Sequence, residues 1–397
     1  MESRGVHMRH VALIYDATSA YDLKVMTGVA AYLQEGVGWN VYIEENSLKD
    51  QRLPDLRTWA GDGVIADFDN PRVAAAVVES KLPAVAFGSG YGWYAPESRI
   101  PYFFTNNRAI AHMAADHLLD RGFHHFAYCG YPRTPINGWS EEREYAFLGR
   151  LKQRGMACSV FRGRHLQGRG WAAMQSALRE WLQALPKPLG VMAANDSRAR
   201  QVLEACRAQS LRVPEEVAVI GVDNDELLCR LSSPLLTSVE QGAQRIGHHA
   251  AVLLDQIMNG RKPRRRRIVV DPEGVVTRRS TDMLAIEDPL AARAMAFIWE
   301  QAVHGIKVQD VAEALSCSRA SLETRFKAVL GYSVHTAISK VRLERARRLV
   351  RETNLSLKQV AANTGFRSVQ HMTTVFGSAF GRPPAEYRLA SRSARLK

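Results

Sequence analysis

The segment from Ile306 to Arg388 repeats one design twice, and that repeat constrains the chain more than any other feature. In Val308–Leu315 the apolar residues Val308, Val311, Ala312 and Leu315 fall at i, i+3, i+4 and i+7, one face of a short helix. The turn Ser316-Cys317-Ser318 follows, with Ser318 placed to cap a second helix over Arg319–Leu330. Leu322, Phe326 and either Val329 or Leu330 face inward. Arg319, Ser321, Glu323, Thr324 and Lys327 make the polar side, and Gly331 ends the helix. The pattern then recurs. Ser356 caps a helix with Leu357, Val360 and Ala361 inside, and Gly365 supplies a turn that needs positive φ. Phe366 packs inward. Ser368 caps a second helix whose core side is Met372, Val375, Phe376 and Phe380, and Pro383-Pro384 closes the element.

A short helix, a tight turn and a helix with a polar outer face is the geometry that enters a major groove. One such pattern is weak, because any helical hairpin imitates it. Two of them joined by a helix over His335–Glu352 are more specific. About 18 residues make a rod of roughly 27 Å, long enough to set two readers in successive grooves about 34 Å apart. The expected base contacts are Ala320, Glu323 and Thr324 in the first reader and Val369, Gln370, Thr373 and Thr374 in the second. Arg319, Lys327 and Arg367 are expected to clamp phosphates. The connecting helix carries Arg342, Arg345, Arg347, Arg348 and Arg351. An arginine run is usually a solvated helix face, but its place between two readers favours phosphate contact.

Charge agrees. Of a net +13, residues from Leu284 onward hold 18 Lys/Arg against 9 Asp/Glu, or +9. The run Arg261 to Arg267 is a second basic cluster, better read as an exposed loop than as a contact. Five cysteines without CxxC spacing fit buried thiols in a reducing compartment. The histidines lack the spacing of a helix-borne metal site, so no metal or cofactor is expected. No apolar run spans a membrane, and Met1–Met8 has no hydrophobic core of a secretory signal, so a cytoplasmic chain is expected.

The first two-thirds alternate short apolar runs with helices. Strands are expected at 10–15, 41–43, 63–66, 84–87, 125–129, 158–161, 190–193 and 217–222. Helices are expected at 22–33, near 53–59 and at 71–79, 107–121, 140–154, 171–185, 197–209 and 243–258. This alternation means parallel sheets covered on both faces. Two series meeting near Gly122 imply two lobes with a cleft between them.

Ligands of open α/β sheets lie beyond the carboxyl ends of the strands. Those ends carry Tyr21 and Asp22; Asn106 and Asn107; Trp139 and Arg143; Asn195 and Asp196; Asp223 and Asn224; and Gln241. Carboxylates, amides and a guanidinium pair with vicinal hydroxyls, and an aromatic face covers a sugar's C–H surface. Singly, Asp22 or Asp196 is more often a helix cap, and Tyr21 or Trp139 a core aromatic. Their convergence from both lobes is what points to a ligand site. Asp223-Asn224-Asp225-Glu226 lacks the ordered spacing of a metal loop.

The tail, with Gly365-Phe366 and Phe380-Gly381-Arg382-Pro383-Pro384, resembles the AraC-type DNA-binding domain over its whole length. Met372 stands where many members have an aromatic residue, and Pro383 where Thr is commoner. The larger part resembles the ribose-binding and LacI-type effector domain through Asn195-Asp196, Gly221-Val222-Asp223-Asn224 and Leu235–Gln241, and Arg143 matches that family's ligand arginine. The fusion, with Ala20-Tyr21-Asp22, Gly61–Asp69, Glu142–Phe147 and Arg278–Asp282, resembles the xylose-operon-regulator family. Asn106 departs from that pattern, which has Asp there, and this bears on sugar choice.

The resemblance implies an α/β, two-lobed, periplasmic-binding-protein-like sensor of type I followed by an all-α tandem helix-turn-helix domain. It implies a sensor over 9–282, with lobes 9–122 plus 241–262 and 123–240 plus 263–280. A linker over 283–292 and a DNA-binding domain over 293–390 follow. It implies a sugar-responsive activator with a pentose effector, D-xylose first, acting on double-stranded operator DNA as a homodimer with RNA polymerase. Another pentose or hexose is the alternative. A sugar-modifying enzyme with a DNA-binding tail is the rival class, although no GxxxxGK[ST] loop or GxSxG elbow occurs. An architectural DNA binder with a degenerate sensor is a third reading.

Overall fold

The computed structural model describes residues 8–43, 55–88, 99–134, 137–163, 170–263, 265–282, 288–353 and 355–393. Two compact units divide the chain, Met1–Asp282 and Met283–Lys397.

In the first unit the elements are β1 (Arg9–Ile14), α1 (Ala20–Leu33), β2 (Trp39–Ile43), β3 (Gly63–Asp67), α2 (Pro71–Ser80), β4 (Ala84–Gly88), β5 (Tyr102–Thr105) and α3 (Asn107–Leu119). They continue with β6 (His125–Cys129), α4 (Gly138–Lys152), β7 (Cys158–Phe161), α5 (Trp171–Ala184), β8 (Leu189–Ala193), α6 (Asp196–Ala208), β9 (Val217–Val222) and α7 (Glu226–Leu231). The last are β10 (Thr237–Glu240), α8 (Ala243–Met258), β11 (Arg267–Val270) and β12 (Gly274–Val276). One sheet runs β2-β1-β3-β4-β5-β11 and the other β7-β6-β8-β9-β10-β12. Every described pairing is parallel except β10 with β12. The central strands β3, β4, β8 and β9 are buried throughout, which is why they read as unbroken apolar runs.

Three expectations need correction. Leu56–Thr58 is a turn, not a helix, and Leu53 lies outside the described residues. The lobes also exchange chain at Asn106, not near Gly122. Helix α3 packs on α4 and the second sheet; its Asp116 holds Arg150 of α4 through two bonds of 2.8 and 2.9 Å. The last exchange comes at Asp271, not at Lys262, because Arg267–Val270 pairs with β5 in the first sheet. Strands β5, β11 and β12 are short and lie late in their sheets, and their patterns carried too little periodicity to read.

Helices α1 and α8 cover the first sheet and touch backbone to backbone. A Cβ on Gly28 would stand 1.9 Å from the Gln244 carbonyl oxygen, and one on Gly247 1.8 Å from that of Val25. Only hydrogen fits at either position. Three segments cross between lobes, and they are tied together. Asn106 N donates to Val270 O at 3.0 Å and Glu273 N to Glu240 O at 2.8 Å. The Asn106 amide also donates to the Asp271 carboxylate at 2.6 Å.

The second unit contains α9 (Pro289–Gln301), α10 (Val308–Ala314), α11 (Arg319–Leu330), α12 (Val334–Glu352), α13 (Leu357–Asn363), α14 (Val369–Phe380) and α15 (Pro384–Ser393). Ser318, Ser333, Ser356 and Ser368 all cap through their side chains. Leu330, not Val329, is the residue that turns inward. Helix α12 is the shared wall. Its Val334, Ala337, Ile338 and Val341 close the first core, and Leu343, Ala346 and Val350 close the second.

Helices α9 and α15 went unread. The expected linker over 283–292 ends earlier, because Asp288 caps α9 and Pro289 starts it. Residues 283–287 lie outside the described residues. Ala291, Ala294, Met295 and Ile298 are buried and fall at i, i+3, i+4 and i+7, a stripe that was legible.

Candidate functional site

Between the lobes lies a cavity of about 460 Å³, within the range of roughly 300–1,000 Å³ typical of small-molecule sites. Its walls are the carboxyl ends of both sheets. The first lobe contributes Asp16 and Ser19 after β1, Tyr21 and Asp22 on α1, Asp67 at the end of β3, and Asp69 and Asn70 after it. Pro71 and Arg72 of α2 and Thr105 of β5 complete that side. The second lobe contributes Trp139 and Arg143 of α4, Asn195 after β8 and Asp223 after β9, while Gln241 comes from a crossing segment.

Arg143 organises the second wall. It is 4% exposed. Its Nε donates to Asn107 Oδ1 at 2.8 Å, Nη1 to Ala194 O at 2.7 Å and Nη2 to Gln241 Oε1 at 2.9 Å. The guanidinium lies over the Trp139 ring at 4.8 Å. Gln241 in turn donates to the Asp223 carboxylate. Asn107 passes its amide to Glu142 at 2.8 Å, so it orients Arg143 from behind the wall. Asn195 caps α6 and accepts from the Tyr131 hydroxyl at 3.0 Å. Burial pushes Asp223 up to about 7, against the pull of the Arg143 and Lys24 cations.

The first wall is acidic. Asp22 is 3% exposed and accepts from Asp16 N at 2.8 Å and from the Ser19 hydroxyl at 2.9 Å. Burial raises it to about 7, with the Asp69 and Asp16 carboxylates adding to the shift. Asp67 is raised well above the ordinary carboxyl range by burial and by Asp22 and Asp69. A carboxyl that titrates near neutrality, as Asp22 does, can either accept from or donate to a ligand hydroxyl. The Tyr21 hydroxyl accepts from Thr105 at 3.0 Å and its ring tilts against Phe87.

Of the expected ligand residues, Tyr21, Asp22, Trp139, Arg143, Asn195, Asp223 and Gln241 meet in this cavity. Asn106, Asn107, Asp196 and Asn224 are not among its lining residues. Asp196 is fully buried, and both its oxygens are taken: Ser238 donates at 2.6 Å and Asp225 N at 2.8 Å. Asn224 turns to Glu240 at 3.1 Å and to Arg278 at 2.7 Å. Asn106 is occupied at the crossing.

Sequence reasoning missed Asp67, Asp69, Asn70, Arg72 and Thr105. The strand-end rule applied after β3 picks out Asp67 and Asp69. Among the described residues no group of His, Cys, Asp and Glu is placed to hold a metal ion. No described helix is long and apolar enough to cross a membrane.

In the second unit, α11 exposes Arg319, Ala320, Thr324 and Lys327. Glu323 is half-buried, and its carboxylate accepts from Val334 N at 3.3 Å. Helix α14 exposes Gln370 and Thr374, with Arg367 exposed just before its cap. Thr373 is half-buried, and Val369 packs against the second core instead of facing away.

The arginines of α12 depart from expectation. Arg342 donates to Ala302 O at 2.8 Å and Ile306 O at 2.9 Å, and Arg345 to Trp299 O. They satisfy carbonyls in the last turn of α9 and in the segment that follows it, a structural use that depends on α9. Arg347 pairs with Glu344 at 2.8 Å. The side chains of Arg348 and Arg351 lie outside the described residues.

Comparison with known proteins places these parts. Residues 10–108 match the XylR N-terminal domain family, 115–281 the periplasmic binding protein-like domain and 311–390 a helix-turn-helix domain. The first match ends just past the Asn106–Asn107 exchange, and the second begins within α3. The xylose operon regulatory protein of Escherichia coli K12 is 37% identical over 382 residues, 96% of this chain and 97% of that protein. Its counterpart in Haemophilus influenzae is 34% identical over 380 residues, 96% and 98% of the two chains. The solved structure of the xylose-binding transcription activator XylR superposes with a TM-score of 0.70 at 37% identity, covering 96% of this chain and 98% of the other. A complex of the transcriptional regulator CelR with cellobiose, 24% identical with a TM-score of 0.56, shares the sensor fold. A two-lobed sensor and paired helix-turn-helix readers occur here in one chain, and nearly all of it aligns with those regulators. The chain belongs to the family of xylose operon regulatory proteins.

Proposed function

We propose that this regulator takes D-xylose in the cleft between its sensor lobes and that the bound sugar changes its affinity for operator DNA. The observation that carries the reading is the cavity itself, about 460 Å³ with carboxyl, amide, guanidinium and aromatic groups from both lobes. A neutral polyol offers hydroxyls to all of these at once. Asp22 and Asp223 hold hydroxyls from opposite walls, Arg143 and Gln241 fix the second wall, and Tyr21 and Trp139 cover the ring. Contacts from both lobes are complete only with the lobes closed, so the ligand shifts the population toward that form.

The output is the pair of readers. Ala320 and Thr324 reach bases from α11, and Gln370, Thr373 and Thr374 from α14. Arg319, Lys327 and Arg367 clamp phosphates. Glu323 and Val369, tied into the core, set the pose of their helices. The protein acts as a cytoplasmic homodimer that activates transcription together with RNA polymerase.

Titration calorimetry against D-xylose, L-arabinose, D-ribose and D-glucose tests the sensor. The expected result is selective D-xylose binding, with tighter binding to a paired half-site duplex when the sugar is present. Equal weak binding of all four sugars, or DNA affinity indifferent to a bound sugar, overturns the reading. Sedimentation of the free protein as a monomer with and without DNA overturns the dimer.

A further inference from the structure

Helix α1 belongs to the first lobe, yet its Lys24 reaches into the second. Lys24 Nζ donates to the carbonyl oxygen of Asp223 at 2.7 Å and forms an ion pair with Glu240. Asp223 follows β9 and Glu240 ends β10, neighbouring strands of the second sheet. The pair is sheltered: the two side chains are 26% and 19% exposed. Arg245, another first-lobe cation at the boundary, bonds instead to the crossing segment itself, at Asp271 O and Glu273. Its bonds stay with the hinge, whereas those of Lys24 span the two lobe bodies.

The grip falls on a strained turn. Asp223 has φ +105° and Asn224 φ +48°, a region that L side chains seldom adopt. Second-lobe bonds hold it there: Asp223 N to Val239 O at 3.1 Å, Asn224 N to Ser238 Oγ at 2.9 Å and the Asn224 amide to Glu240 at 3.1 Å. Lys24 adds the restraint from the other lobe. The same turn aims the Asp223 carboxylate at Gln241 and the cavity.

We propose that Lys24 is a positioning residue that latches the lobes around the ligand by gripping the Asp223 carbonyl and Glu240. The latch rests on the reading of the cleft as the sugar site. Its bonds exist only while the lobes are together, so they add to the closed population, and apparent ligand affinity scales with that fraction.

The test uses the full chain with D-xylose, comparing Lys24→Met, Glu240→Gln and the double variant by calorimetry and stopped-flow dissociation. Each single change is expected to weaken binding about fivefold, the scale of a sheltered ion pair near 1 kcal/mol. The loss should fall in the dissociation rate, since the sugar leaves only when the latch is open. The double variant should be little worse than either single one. The exchange of Lys24→Glu with Glu240→Lys should recover part of the loss. Wild-type affinity in both single variants, or fully additive losses, overturns the latch. If the wild-type chain binds no D-xylose, the sugar reading alone fails. The latch is then read from hydrogen exchange at residues 223–225 of the unliganded protein, and exchange unchanged by Lys24→Met overturns it.

Discussion

The two walls of the cleft solve the same problem in different ways. On the second lobe each polar group is fixed by another side chain, from Asn107 to Arg143 to Gln241 to Asp223. On the first lobe the carboxylates are held by groups close in the chain, Asp22 by Asp16 N and the Ser19 hydroxyl and Asp67 by Asp69 N. A network of side chains fixes one geometry, and its members fail together. Carboxylates held by near neighbours in the chain retain lone pairs that can accept from a ligand but crowd their charges. The second wall therefore orients, and the first accepts. The contrast teaches that wall chemistry and wall rigidity are separate properties in this cleft.

Arg143→Met breaks the comparison hardest. It strips the second wall of its centre, leaving Gln241 without its cation and Asp223 with Lys24 alone. Binding of D-xylose should fall by about 100-fold or more, the scale of losing charge-assisted bonds worth roughly 1.5–3 kcal/mol each. Calorimetry reads it, and a loss under fivefold would remove Arg143 from the centre of the site.

Gly28→Ala attacks the first lobe's scaffold and leaves its wall groups in place. The added methyl meets the Gln244 carbonyl, backbone that cannot swing aside. Overpacking of this kind costs about 1–3 kcal/mol or more. Chemical denaturation should show that loss. A stable variant with unchanged sugar affinity would mean the α1–α8 contact yields more readily than its geometry implies.

Asp22→Asn sharpens the contrast through pH. An unfolded aspartate titrates near 4, whereas burial lifts Asp22 to about 7. The folded state thus binds the extra proton between those values. The stability that Asp22 allows is fully present below about pH 4, falls as pH rises and is lost above about pH 7. The amide removes that penalty, so the variant's gain in Tm over wild type should be a few degrees larger at pH 8 than at pH 5. Equal gains at both would show that the carboxyl is not held up by burial.

Asn106→Asp should have the smallest effect on sugar choice. Asn106 is absent from the cavity lining and donates to Asp271, so a carboxylate there opposes a carboxylate at the crossing. Tm should drop modestly with the order of sugar preference unchanged. A reversed preference would put Asn106 back in the site.

Much of this was legible in one dimension, and particular residues show why. Helix α11 runs Arg319–Leu330 as its cap, stripe and Gly331 require, and the Gly365 turn takes φ +74° as expected. These are local signals, written within a few residues of where they act. The strand-end rule gathered seven of the cavity's residues on the same ground, since a parallel strand shows where it ends.

Asp196 and Asn195 mark the limit. They are adjacent, both follow β8 and both are polar, so sequence could not separate them. The fold turned one toward the cavity and buried the other under Ser238. Lys24 reads as an ordinary solvated lysine on a helix until β9 and β10 are placed beside it. Arg342 reads as a phosphate contact until the segment after α9 presents the Ala302 and Ile306 carbonyls.

By itself the sequence determined the strongly patterned strands, helices and caps, because periodicity and capping are short-range. Tertiary structure alone decided which polar side chains face the cavity, which satisfy the fold, and where the chain changes lobes. Those choices depend on contacts between residues far apart in the chain, such as Lys24 with Asp223 and Arg143 with Gln241. No local pattern encodes such contacts.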